Sequence, residues 1–267
     1  MVDWLASLPT VVLTVGWLCL ALLVAAVARA GVRALVPVEE QDRVPQIAMP
    51  LMPTLGAAFA IFAALSLASE AGYLRAAEGL VSDEAAAASR LAWSATSPQV
   101  RSEPIQSALL DYLRTTRAGE WEAGTAAAGD DRATARAIAR LERTVRAEAA
   151  RPELGGPAGT ELLVSLDGVT TSRRARIAAA SRDVPALYAV TLMVGGLALL
   201  VNAGALTFRS SLRTSLLVLG IASVVGLSLA LLFALTAPWS GPLTVSGHPL
   251  DVIVGDLKSG FFQGGGS

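Results

Sequence analysis

Residues 50–68 read PLMPTLGAAFAIFAALSLA, without one Asp, Glu, Lys, Arg or His. A bilayer core takes roughly 20 apolar residues wound as a helix, so the stretch reads as a membrane span. No breaker ends it. From Ser69 to Ala92 polar residues return, while Tyr73, Ala77, Leu80, Ala88 and Leu91 keep the spacing of one helix face. Unbroken from Pro50 to Ser94, this helix would be about 65 Å long at 1.5 Å per residue. Such a helix must leave the membrane.

Three more segments share that composition: residues 10–28 (Thr10 to Ala28), 184–208 (Val184 to Phe208) and 214–237 (Thr214 to Ala237). The sequence therefore predicts an all-α integral membrane protein with four spans. Spans one and two fall within residues 1–68, a water-exposed helical domain occupies 69–183, and spans three and four occupy 184–237. A C-terminal tail, 238–263, precedes Gly264 to Ser267, which read as the start of a tag linker. Ala28, Arg29 and Ala30 mimic a signal-peptidase site, but Met1 to Trp4 carry no positive side chain, so the first span is expected to be retained.

The linker from Arg29 to Met49, with Pro37, Pro45, Glu39, Glu40 and Asp42, reads as a loop with at most one turn. In the helical domain, Ser102 and Pro104 open a helix carrying Ile105, Leu109, Tyr112 and Leu113, which fades near Gly119. Asp130 and Asp131 start another, with Thr134, Ile138, Leu141 and Val145 inward and Pro152, Gly155, Gly156 and Pro157 as its stop. A last one, Thr160 to Arg182, turns Leu162, Leu166, Val169 and Ile177 inward. A strand pattern is suggested only at Leu243, Thr244 and Val245.

With 21 basic against 22 acidic residues, the chain has no electrostatic footprint for nucleic acid. Cys19 is the one cysteine, which excludes an intrachain disulfide and a thiolate metal site. His248 is the one histidine and reads as an exposed tail residue; catalysis lacks its usual groups, and neither a cofactor nor a metal is expected. No charged residue lies within a span, so an ion-coupled pump has no evident machinery. Asn202, Ser66, Ser223 and Ser228 suit either interhelical hydrogen bonds or a water-lined path.

Two charges interrupt the apolar stripes. Glu84 falls on the face of Ala77, Leu80, Ala88 and Leu91, and Arg173 on the face of Leu166, Val169 and Ile177. A charge on a buried face finds a partner or costs several kcal/mol, so Glu84 is expected to pair with Arg173 or Arg174. Arg173, Arg174, Arg176 and Arg182 together suggest a basic vestibule near the membrane. Arg29, Arg33, Arg43, Arg209 and Arg213 lie in the two short loops and none in the N-terminus, which by the positive-inside rule places the helical domain outside the cytoplasm of a plasma-membrane protein, whereas Arg173, Arg174, Arg176 and Arg182 just before span three argue the opposite.

Several stretches together resemble the bestrophin-like family of bacterial membrane proteins, formerly a domain of unknown function. They are Glu84 to Ala88 with Leu91, the pair Glu120 and Trp121, Arg173 to Ile177 leading to Pro185, and Trp239 to Ser246. Pro53 to Phe62 with Tyr73, Leu74 and Arg75 is similar to the second span of true bestrophins, which are pentameric anion channels. The resemblance implies a neck lined at Ala57, Ile61 and Leu65, with Phe62 beside it, and a cytoplasmic helical domain, against the arginine count. The calcium-binding acidic cluster of animal bestrophins has no match in a tail with only Asp251 and Asp256. Two roles follow: a homo-oligomeric, pentameric ion channel in membrane lipid, lined by span two, or a non-conducting scaffold whose helical domain docks a protein partner.

Overall fold

The computed structural model describes residues 10–122, 131–180, 186–207, 212–236, 239 and 243–263. Arg182, Pro185 and the expected linker Gly264 to Ser267 lie outside the described residues. Eight α-helices follow in order among them: α1 (Thr10–Leu35), α2 (Val44–Ser94), α3 (Ser102–Thr116), α4 (Arg132–Ala149), α5 (Gly156–Ala180), α6 (Ala186–Leu206), α7 (Leu212–Leu235) and α8 (His248–Ser259). A π-helical turn, Arg117–Glu122, extends α3, and a 3-10 turn, Phe261–Gln263, follows α8. Four of the helices, α1, α2, α6 and α7, are long and apolar enough to cross a membrane. The fold is all-α, and Leu243 to Val245 form no strand.

The chain divides into two compact units: residues 1–73 with 183–243, and residues 74–182 with 244–267. Helix α2 contributes to both.

In the first unit α1 packs on α6 and α7, which also pack on each other. Its core joins Ala21, Ala25, Phe59, Ala63, Leu192, Leu199, Val225 and Leu232, and Trp17 stacks on Phe233 with ring centroids 4.9 Å apart. Lipid tails are as apolar as leucine, so close packing rather than water exclusion holds such helices together. Glycines supply that closeness. A Cβ on Gly204 would stand 2.8 Å from the Ala25 carbonyl oxygen, and one on Gly226 would stand 3.0 Å from Leu18 Cα.

The segment between the first two spans is shorter than the expected loop. Nothing between Arg29 and Leu35 breaks a helix, so α1 runs on to Leu35, and α2 has begun by Val44 with Pro45 in its first turn, where a missing N–H costs nothing. Pro50 and Pro53 lie inside α2 and cannot donate to the carbonyls four residues back. Beside them, Asn202 of α6 donates Nδ2 to the Ala48 carbonyl at 3.0 Å and approaches Met52 Sδ at 3.3 Å. This interhelical hydrogen bond ties α6 to α2 beside the two prolines.

In the second unit α3 packs on α4, α4 on α5, and α8 on α3. Here water exclusion does the work. Leu91, Ile105, Leu109, Leu113, Leu141 and Leu162 are fully buried, and such side chains contribute about 1.5–3 kcal/mol each. Asp131 caps α4 by accepting from the Thr134 N–H at 2.7 Å, and the hydrogen bonds from Thr134 hold its carboxyl below the usual range. The inner face of α4 is Thr134, Ala137, Leu141, Val145 and Glu148, with Ala137 in the place expected of Ile138. Helix α5 begins at Gly156, because Pro157 pre-sets the first turn of a helix as readily as it stops one. The tail is also more ordered than expected: His248 to Ser259 form α8, whose Leu250 and Ile253 are buried, and Gly260 closes it in the left-handed region at φ 74°.

Candidate functional site

Two groups of residues concentrate the chemistry of the chain, one in each unit. The first is a face of α2. Phe59, Ala63, Ser66 and Glu70, spaced four, three and four apart, form one buried stripe. Ala57, Ile61, Phe62 and Leu65 lie outside that stripe and are exposed, Ile61 at 58% and Leu65 at 64%. The buried carboxylate Glu70 is a residue that sequence reasoning missed. Its signal was present: it continues the stripe one turn past Ser66, two residues beyond the end of the apolar run.

The second group is a buried ionic cluster in the other unit. Glu84 on α2 accepts from Arg176 Nε at 2.5 Å through Oε2 and from the Tyr112 hydroxyl through Oε1. Glu120, on the π-helical turn, faces two arginines of α5: Oε1 meets Arg173 Nη2 at 2.8 Å and Oε2 meets Arg176 Nη1 at 2.7 Å. All four charged residues are buried, Arg176 and Glu84 completely. Two carboxylates and two guanidiniums balance, so the cluster carries no net charge into an apolar interior, where an unpaired ion would be costly.

Aromatic rings complete it. Arg176 stands 4.8 Å from the Trp121 ring centre and Arg173 5.8 Å from that of Tyr112. Trp121 donates Nε1–H to the Val245 carbonyl at 3.0 Å, and Arg117, on the same turn, pairs with Asp251 of α8 at 2.7 Å. Burial, then the Glu84 charge, pushes the Tyr112 phenol far above its ordinary range. Burial opposes the charge of Arg176, but Glu84 and then Glu120 override it and hold the guanidinium protonated. The cluster fastens three elements, α2, α5 and the π-helical turn, with fixed charges. It presents no nucleophile or base to a substrate.

The partners of Glu84 and Arg173 differ from those read off the sequence. Glu84 meets Arg176, not Arg173 or Arg174, and Arg173 meets Glu120. Residues 173 and 176 are three apart and share the face of Leu162, Leu166 and Val169, whereas Arg174 is turned about 100° away and is exposed. This removes Arg173 and Arg176 from the expected basic vestibule within the chain: both are buried and paired. Glu120 had appeared in the sequence only as part of a family pattern, and the π-helical turn that aims it leaves no periodic trace. His248 is exposed in the first turn of α8. Among the described residues, no cluster of His, Cys, Asp or Glu is arranged to hold a metal ion.

Four bilayer-length helices joined to a second helical unit define an integral membrane protein. A family model, the bestrophin-like domain, matches residues 19–250, and the chain belongs to that family. A mutant of a bacterial bestrophin homologue from Klebsiella pneumoniae superposes with a TM-score of 0.70 at 15% identity, covering 92% of this chain and 99% of that one. A second structure of a bacterial bestrophin homologue from the same organism gives 0.69 at 14% identity, covering 92% and 97%. A further mutant membrane protein gives 0.67 at 14% identity, covering 95% and 97%. At such identities the likeness is one of fold. No curated protein matches the chain.

Proposed function

We propose that the chain assembles as a homo-oligomer, pentameric by analogy with bestrophins, and conducts anions along a path lined by α2. The observation that carries this reading is the α2 face: one stripe is buried in its own unit, while Ala57, Ile61 and Leu65, four residues apart, are apolar and without cover. A ring of such side chains around a symmetry axis gates by dewetting. Membership of the bestrophin-like family and the full-length likeness in fold to bacterial bestrophin homologues support it. With Arg173 and Arg176 neutralised, Arg174 is the one arginine of the expected vestibule, among the described residues, that offers free charge to an anion. Arg29, Arg33, Arg43, Arg209 and Arg213, in the short loops and the span ends flanking them, support a cytoplasmic position for those loops in the plasma membrane.

The test is flux through reconstituted, purified protein. Ile61→Thr and Leu65→Thr, which wet the ring, should raise conductance, and Arg174→Glu should move the reversal potential toward cations. A monomeric particle with no flux in either variant would end the channel reading. Cysteine labelling from either side of the membrane, at positions 111 and 40, decides orientation.

One observation favours the second reading, a scaffold whose helical unit docks a partner: a basic face on α4 that makes no ion pair among the described residues.

A further inference from the structure

Helix α4 is two-sided. Thr134, Ala137, Leu141, Val145 and Glu148 are buried, while Arg132, Arg136, Arg143 and Arg146 are exposed on the opposite side. At about 100° per residue these four fall within about 80° of the helix circumference, along about 21 Å of axis. Among the described residues none of the four makes an ion pair, whereas Arg101, Arg117, Arg140, Arg151, Arg173 and Arg176 all do. Ala135 and Ala139 floor a groove of about 440 Å³ walled by three of these arginines, Arg132, Arg136 and Arg143, and by Arg140, which pairs with Asp111.

We infer that this groove docks an acidic helix of another protein, with Asp or Glu at three- and four-residue spacing facing the arginines and small residues against Ala135 and Ala139. The planar guanidinium binds carboxylates through two parallel hydrogen bonds, and alanine lets a second helix backbone come close. Competing polyanions fit worse. The stripe has no aromatic residue on which a base would stack, and no Leu, Phe or Trp to enter a lipid surface as membrane-lying helices require. The inference deepens the scaffold reading and holds whether or not the chain conducts.

A photo-crosslinking amino acid at Ala139 of the full chain, in its native membrane, reads the occupant by sequencing the attached peptide. The expected product is a peptide of a different protein with carboxylates at helical spacing. Arg136→Glu with Arg143→Glu should cut its yield at least tenfold, and Glu→Lys changes in the partner helix should restore it. An unchanged melting profile of the double variant shows that the fold survives, since both positions are exposed. A crosslink to a second copy of this chain, to lipid or to nucleic acid, or an acidic peptide whose yield ignores the charge reversal, overturns the inference. No crosslink at all does the same. Flux is measured on the same double variant, so a failed docking reading leaves the channel reading standing on its own data.

Discussion

Arg176 shows how one residue can be expensive and indispensable together. Its guanidinium is wholly buried and meets carboxylates on two different elements. Removing Glu120 leaves Arg176 with Glu84 but takes from buried Arg173 the carboxylate it pairs with, so Glu120→Ala should cost about 3–5 kcal/mol, read by denaturant unfolding in detergent. Tyr112→Phe removes only a hydrogen bond to a charged group and should cost about 1.5–3 kcal/mol. It should also change the alkaline limb. The folded pKa of Tyr112 lies above its ordinary 10.0, so the stability it confers is complete below that pH and is lost as pH rises beyond it. In Tyr112→Phe that alkaline loss should shrink. Glu148 works in the opposite direction: burial raises its pKa, but the Arg101 N–H and the side chains of Arg151 and Arg101 overcome this and hold it below 4.5. Its contribution is present above pH 4.5 and fades as acid titrates the folded carboxyl. Glu148→Gln should flatten the melting temperature between pH 5 and pH 3. At this scale the sequence showed that Glu84 needs a partner, because its neighbours on the stripe are apolar. Which of Arg173, Arg174 and Arg176 answers depends on a rotation of α5 that the helical period does not fix to better than one residue.

Helices here were legible wherever apolar periodicity was strong, and their ends were not. The acidic linker shrank because Arg29 and Arg33 are good helix formers, and Gly156 with Pro157 opened α5 instead of closing α4. The π-helical turn is the least legible element, since one extra residue per turn has no compositional mark. It matters because it aims Glu120 and Trp121. Gly119 within it faces the Asp131 carboxylate, 2.6 Å from a would-be Cβ, so Gly119→Ala displaces the α4 cap. Loss of that cap alone, in Asp131→Ala, should cost about 1 kcal/mol; if the glycine acts through the cap, the double variant costs no more than the worse single. In the membrane unit, Gly226→Val drives a branched side chain into the α1 backbone at Leu18. Overpacking of this kind costs about 1–3 kcal/mol and should lower the detergent melting temperature.

The molecule as a whole is two units threaded by α2, and they are stabilised by different physics. The first depends on small residues and tight helix contacts, the second on buried leucines and a charge-balanced cluster. Truncation after Leu243 should test this division. It removes α8, with the Val245 acceptor of Trp121 and the buried Leu250 and Ile253. Limited proteolysis should then open residues 100–122 while leaving α1, α6 and α7 resistant.

The four spans, the all-α class and the continuation of span two beyond its apolar run were determined by the sequence alone, because a bilayer imposes length and composition rules that no tertiary contact can relax. The pairing of Glu84 with Arg176, the inclusion of Glu120 and the union of the C-terminal helix with the helical unit were decided only in three dimensions. Ion pairs between residues as many as 134 apart in the chain depend on how helices rotate against one another, and that rotation is set by the sum of many contacts, none of which is visible one residue at a time.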